Sequence, residues 1–201
     1  MPVIDAALPI EEGGNRITLG PHKILDQWLS IRKSGWGRVD AVVAVPGKPN
    51  EVYVFFGGHY FRTSFNEHLR DIVVHPVSPI KSAWNGLAAV GFNTIDAGLC
   101  DQTNEDFMYF FSGTKSVKYS WSKDEAISSP HEISEYWSIL GKAGFDRVDA
   151  IYAARNMNNT YYVFRGHQYL ALDWNGYRNE SLKYGPNILA EAWSDTFKEW
   201  P

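Results

Sequence analysis

The chain has 201 residues and a net charge of −4, and its 8 Trp, 11 Tyr and 11 Phe make it 15% aromatic. That aromatic content excludes a disordered chain, and the acidic balance argues against nucleic acid, which is held by Lys and Arg that displace phosphate counterions. The single cysteine, Cys100, excludes an internal disulfide framework, and apolar runs such as Ala41–Val45 are strand-sized, far short of the roughly 20 residues of a membrane helix.

In chain order, the first landmark is Ile4-Asp5-Ala6-Ala7, which carries no basic or apolar leader and points to a cytoplasmic protein. Next comes Pro21…Trp28, the first of four segments in which a Pro opens an apolar stretch ending on Trp. The others are Pro79…Trp84, Pro130…Trp137 and Pro186…Trp193. Ile24/Trp28, Ile133/Trp137 and Leu189/Trp193 stand at i, i+4, so each segment reads as a two-turn helix with Pro in its first position and one apolar stripe facing inward.

After each Trp comes an Asp-Ala or Asp-aliphatic strand at fixed distance. Asp40, Asp96 and Asp149 each lie 12 residues after Trp28, Trp84 and Trp137. Trp193 finds its counterpart in Asp5, 13 positions on when counted across the termini. The sequence therefore behaves as a ring of four units cut inside one of them.

A third landmark follows three of these Asp residues. Tyr53–Gly58, Met108–Gly113 and Tyr161–Gly166 are aromatic runs closing on Phe-x-Gly, and each leads into a second extended run, which is a hairpin signal. Each full unit thus reads as strand, strand, turn, strand and short helix. From Asp40, Asp96 and Asp149 the Pro that opens the following Pro…Trp segment lies 39, 34 and 37 residues on, but from Asp5 only 16. The first unit is therefore truncated, with at most a short hairpin at Gly13-Gly14.

Repeats of this length with strands and turns fit a β-propeller closed by its own termini. The rival, a β-sandwich, would need four Pro…Trp segments and their Trp-to-Asp spacing to coincide by accident. The expected fold is one all-β domain over 1–201, a four-bladed propeller with short helices between blades. Its units are approximately 1–28, 29–84, 85–137 and 138–201.

The order of hydrophobic-Asp-Ala, aromatic-aromatic-x-Gly and Pro…Trp resembles the hemopexin-like repeat family, from Ile4 to Trp200, and its ring phase is similar to the single-domain plant seed albumins of that family. The resemblance implies that backbone carbonyls of the inner strands hold cations in the channel. On this chain these are the carbonyls of Asp5, Asp40, Asp96 and Asp149, with a second ring at Ala7, Val42, Gly98 and Ile151. Oxygen ligands suit hard ions such as Ca²⁺ or Na⁺. The carboxylates themselves read as caps on backbone N–H groups of their own turns. Haem, a polyamine or a glycan are the ligands the resemblance suggests.

The six His include no pair at i, i+3 or i+4, so no zinc signature exists. His59 and His167 occupy equivalent turns after Phe-x-Gly and are expected to be exposed on separate blades. G-x-S-x-G, H-E-x-x-H, a complete P-loop and G-x-G-x-x-G are missing, and Cys100 reads as a small buried hydrophobe.

The residues therefore favour a binding protein for a small-molecule ligand. A cofactor-free enzyme such as a pericyclase or isomerase is the first alternative. A lectin stacking sugars on exposed Trp121 and Trp174 is the second. The short first blade leaves a strand edge at Ile4–Leu19, and covering it predicts a homodimer.

Overall fold

A computed structural model of the chain describes residues 24–65, 70–154, 157, 159–176 and 179–192. These residues form three antiparallel sheets, one inside each of the units 29–84, 85–137 and 138–201. Blade I contains β1 (Ala41–Val45), β2 (Lys48–Phe56), β3 (His59–Phe65) and β4 (Asp71–Pro79), in that spatial order. Blade II contains β5 (Ala97–Cys100), β6 (Phe107–Ser112) and β7 (Lys115–Ser120), and its outer strand is split into β8 (Glu125–Ala126) and β9 (His131–Glu132), both paired with β7. Blade III contains β10 (Ala150–Ala153), β11 (Thr160–Arg165), β12 (Gln168–Trp174) and β13 (Glu180–Ile188). The truncated unit, with Asp5, Ala7, the Ile4–Leu19 edge and Trp193, lies outside the described residues.

Each of the three described blades has a fourth, outer strand that the aromatic runs do not announce. β4 and β13 are mostly exposed and polar or Pro-bearing, as suits an edge that must not recruit another chain. The middle strands are different. Val52, Tyr53, Val54 and Phe55 are buried without alternation, because the two faces of blade I pack into separate clusters: Tyr53 and Phe55 with Trp84 and Phe110, Val52 and Val54 with Ile31 and Phe61.

The Pro…Trp segments depart from the expected two-turn helix. Each of the first three is two short helices broken at the Trp. They are α1 (Ile24–Gln27) and α2 (Leu29–Ser34) around Trp28, α3 (Ile80–Ala83) and α4 (Asn85–Ala89) around Trp84, and α5 (Ile133–Tyr136) and α6 (Ser138–Lys142) around Trp137. The single turn α7 (Leu189–Ala192) begins the last such segment. Nor is Pro the first helical residue: Pro79 is extended and caps α3, and Pro186 lies within β13. The i, i+4 pairing survives as a backbone bond, since the N–H groups of Trp28, Trp84 and Trp137 donate to the carbonyls of Ile24, Ile80 and Ile133. The break at Trp84 turns its indole into the seam between blades I and II, and that at Trp137 turns its indole into the seam between blades II and III.

The core is accordingly not central but lies in the seams. Tyr53, Phe55, Trp84, Phe110 and Tyr119 fill the seam between blades I and II. Tyr109, Phe111, Trp137, Leu172 and Trp174 fill the seam between blades II and III.

Candidate functional site

The inner strands β1, β5 and β10 stand at the ends of their sheets, and β5 packs against both of the others. Each therefore turns a free backbone edge toward the axis. At one end of these strands the three aspartates meet: Asp40, Asp96 and Asp149 line a cavity of about 210 Å³ together with Arg38 and Val39.

One carboxylate oxygen of each is already committed. Asp40 and Asp96 Oδ2 accept the N–H groups of Gly57 and Gly113, both at 2.7 Å, and Asp149 accepts that of Gly166 in the same way. These glycines have φ of 53°, 57° and 57°, the left-handed conformation that a two-residue hairpin turn demands and that glycine adopts without a Cβ clash. The constant spacing from Asp to Gly in all three blades is thus a turn cap, as the residues alone suggest.

The second oxygens differ. Asp40 Oδ1 faces Arg38 Nε at 3.8 Å, and Asp149 Oδ1 faces Arg147 Nε at 3.4 Å. In blade II the residue two before the aspartate is Thr94, whose hydroxyl bonds Ser112 instead. Three carboxylates thus share two guanidinium groups. Burial, and then the charges of Asp40 and Asp149, push the Asp96 carboxyl above its ordinary value, against the pull of the Gly113 N–H. Among the described residues no three His, Cys, Asp or Glu side chains converge closely enough to hold a metal.

A second cavity, of about 340 Å³, opens in the seam between blades I and II. Its walls are the rings of Tyr53, Tyr60, Trp84, Tyr119 and Trp121. Tyr53 meets Trp84 edge-on at 4.8 Å, and Tyr60 and Tyr119 flank the same indole at 5.6 and 5.5 Å. Trp121 is half-buried and donates its indole N–H to the Tyr53 hydroxyl at 2.9 Å. The polar groups of the rim are Arg62, His75 and Asp124. His75 stacks on Tyr60 at 5.4 Å, and Arg62 pairs with Glu51 at 3.1 Å. Burial raises the Tyr60 hydroxyl above its ordinary value, so the phenol stays protonated.

The other singled-out residues fall apart. His59 and His167 are both exposed, as expected, His167 in the turn of blade III but His59 one position past its turn, as the first residue of β3; His22 and His68 lie outside the described residues. Trp174 is not a surface platform. It is 2% exposed and wedged between Tyr109 at 4.8 Å and Trp137 at 5.3 Å, so no sugar can stack on it. Cys100 donates its thiol to the Ala44 carbonyl at 3.3 Å, and burial pushes it up to about 12, which removes it as a nucleophile at neutral pH.

Sequence reading missed a set of carboxylates. Asp71 Oδ1 and Oδ2 accept the N–H groups of Leu29 and Ser30 at 2.9 and 2.6 Å, Asp124 Oδ2 that of Asn85 at 3.2 Å, and Glu180 Oε1 that of Ile139 at 3.2 Å. Each blade's outer hairpin thus caps the helix that follows the preceding unit's Trp, an anion at a helix start. These acids stand 31, 28 and 31 residues after Asp40, Asp96 and Asp149, a fourth landmark that only the uneven loop lengths hide.

No protein-family model matches the sequence, and no curated protein matches it. Solved structures do. A hemopexin fold protein, CP4 from cow pea, is 18% identical with a TM-score of 0.80. A plant albumin from Cicer arietinum showing hemagglutination is 18% identical with a TM-score of 0.81. A plant lectin with two metal binding sites from Cicer arietinum is 19% identical with a TM-score of 0.80. Each match covers 94% of this chain and 84% of the other. The chain has the hemopexin fold, a four-bladed β-propeller with short helices between its blades.

Proposed function

We propose that this chain is a binding protein that takes a cationic ligand of the polyamine type at the Asp mouth of its channel. Below it, the carbonyls of the inner strands hold a hard ion, Ca²⁺ or Na⁺. The observation that carries the reading is the charge imbalance at the mouth: Asp40, Asp96 and Asp149 against Arg38 and Arg147, with Asp96 lacking its own arginine. A cation there relieves the repulsion by Asp40 and Asp149 that adds to burial in raising the Asp96 carboxyl. The free edges of β1, β5 and β10 supply the oxygen donors a hard ion prefers. The similar folds include one protein described as a lectin with two metal binding sites.

The test is calorimetric titration of the chain with spermine and, separately, with CaCl₂, using wild type and Asp96→Asn. The variant keeps an oxygen to accept the Gly113 N–H and removes the charge. Spermine affinity falls by tenfold or more in the variant, while binding of Ca²⁺ to backbone oxygens falls less. Equal spermine affinity in both proteins overturns the reading.

A pH series adds a sign. The Asp96 carboxyl is raised in the folded chain, so it contributes stability that is complete below the unfolded value of about 3.9 and is lost as the pH rises through the folded value. Without ligand, Asp96→Asn therefore melts higher than wild type at pH 7, by about 1–2 °C, and the gap closes toward pH 3.

A further inference from the structure

Beyond the channel, we infer that the cavity between blades I and II is a second binding site, for a flat aromatic molecule bearing a carboxylate or carbonyl oxygen. Size and walls come first. About 340 Å³ lies within the range of small-molecule sites, and five aromatic rings bound it. A flat conjugated ligand gains ring contacts there of the kind that Tyr53, Tyr60 and Tyr119 already make with Trp84.

The walls are also fixed in advance. Trp121 is tied to Tyr53. Asp124, at φ 52°, holds the left-handed conformation that costs a non-glycine residue free energy. Its carboxylate accepts the Tyr119 hydroxyl and both the backbone and side-chain N–H groups of Asn85. Helix α4 presses so close to that turn that a Cβ on Gly86 would lie 2.6 Å from the Cα of Glu125. Strain and close approach are thus concentrated in one wall of the cavity.

The hydrogen-bond inventory selects the ligand. Asp124 spends its oxygens on three donors and has little left to attract a cation. The Tyr53 hydroxyl accepts from Trp121 and so has its own proton to give. Arg62 meets Glu51 through Nε, and its guanidinium carries further donors. What the cavity still offers is N–H and O–H donors, those of Arg62 charged though its charge is balanced by Glu51 and Asp124, which calls for an acceptor on the ligand.

The experiment titrates the full chain with 2-naphthoate by calorimetry, with 2-naphthamide, methyl glucoside and tetramethylammonium as rivals. Saturable binding of 2-naphthoate is expected, with the Trp121 indole N–H resonance shifting and that of buried Trp174 unmoved. Ala83 lies exposed at the rim, on the last residue of α3, so Ala83→Phe fills the cavity without touching the core. It should cut affinity at least tenfold with the unfolding midpoint unchanged. Arg62→Gln should abolish the preference for the naphthoate over the naphthamide. Asp96→Asn should leave naphthoate affinity within twofold, which separates this site from the channel. Undiminished binding in Ala83→Phe, or a preference for tetramethylammonium or the glucoside, overturns the inference.

Discussion

The seam between blades II and III is closed, and the equivalent seam between blades I and II is open. The backbones do not explain the difference. The Trp174 N–H donates to the Asn159 carbonyl and the Trp121 N–H to the Asp106 carbonyl, both at 2.8 Å, at matching repeat positions. Their neighbours do. Beside Trp137 stand Ser116 and Leu172, small or aliphatic, and the Trp174 ring drives in between Tyr109 and Trp137. At the matching positions beside Trp84 stand Tyr60 and Tyr119, whose rings crowd that indole. Trp121 is left half-buried at the edge with a cavity beneath it. Two substitutions in a repeat have turned a core position into a pocket wall, which is how a repeat fold can acquire a site without altering its framework.

The sharpest test of that contrast removes each indole in turn. Trp174→Ala deletes a side chain 2% exposed with three aromatic neighbours; it should cost about 3–5 kcal/mol, the scale of large-to-small changes in a packed core. Trp121→Ala removes a half-exposed ring over an existing cavity and should cost about 1 kcal/mol. Equilibrium urea unfolding of both variants measures the gap. Equal losses would mean that the two seams are energetically alike and that the cavity is incidental.

The inter-blade caps provide the next largest effect. Asp71 is 5% exposed and satisfies two helix-start N–H groups, so Asp71→Ala should cost about 2 kcal/mol, the upper end for a lost cap. At the open seam, Asp124→Ala loses an exposed cap and the tie to Tyr119, and puts at φ 52° an alanine, which tolerates the left-handed conformation less well than aspartate. About 1 kcal/mol is expected there, together with a measurable loss of 2-naphthoate affinity that Asp71→Ala does not share.

How far this contrast could be read in advance depends on range. The Asp-to-Gly turn caps and the Trp-to-Asp spacing were legible because a hairpin or a short helix fixes them locally. The helix break at each Trp was not, since i, i+4 spacing suits one continuous helix and only the demands of seam packing split it. Trp121 and Trp174 look alike in sequence, each 25 residues after its Asp. Their different burial follows from Tyr60, Ser116, Tyr119 and Leu172, residues contributed by two different blades. The capping acids escaped for the same reason: Asp71, Asp124 and Glu180 lie 39 to 42 positions from the N–H groups they serve. The equivalence of Asp40, Asp96 and Asp149, by contrast, is readable from the constant Trp-to-Asp spacing, and the family resemblance places their strands along the channel.

The smallest expected effect tests the openness of the seam through one chemical bond made twice. Trp137 Nε1 donates to Ser116 Oγ at 3.0 Å in the closed seam, and Trp121 Nε1 donates to the Tyr53 hydroxyl at 2.9 Å in the open one. Deleting the acceptor should be costly only where water cannot replace it. Trp137 is 1% exposed, so Ser116→Ala strands a buried N–H, at about 1–3 kcal/mol. Trp121 borders a cavity open to solvent, so after Tyr53→Phe its N–H can turn to water, and the loss should be about 0.5 kcal/mol. Hydrogen exchange of the two indole N–H protons gives an independent reading: in Tyr53→Phe that of Trp121 exchanges faster, while that of Trp137 is unchanged. Equal costs for the two deletions would show that water does not reach the Trp121 ring, and the cavity would then be a packing void.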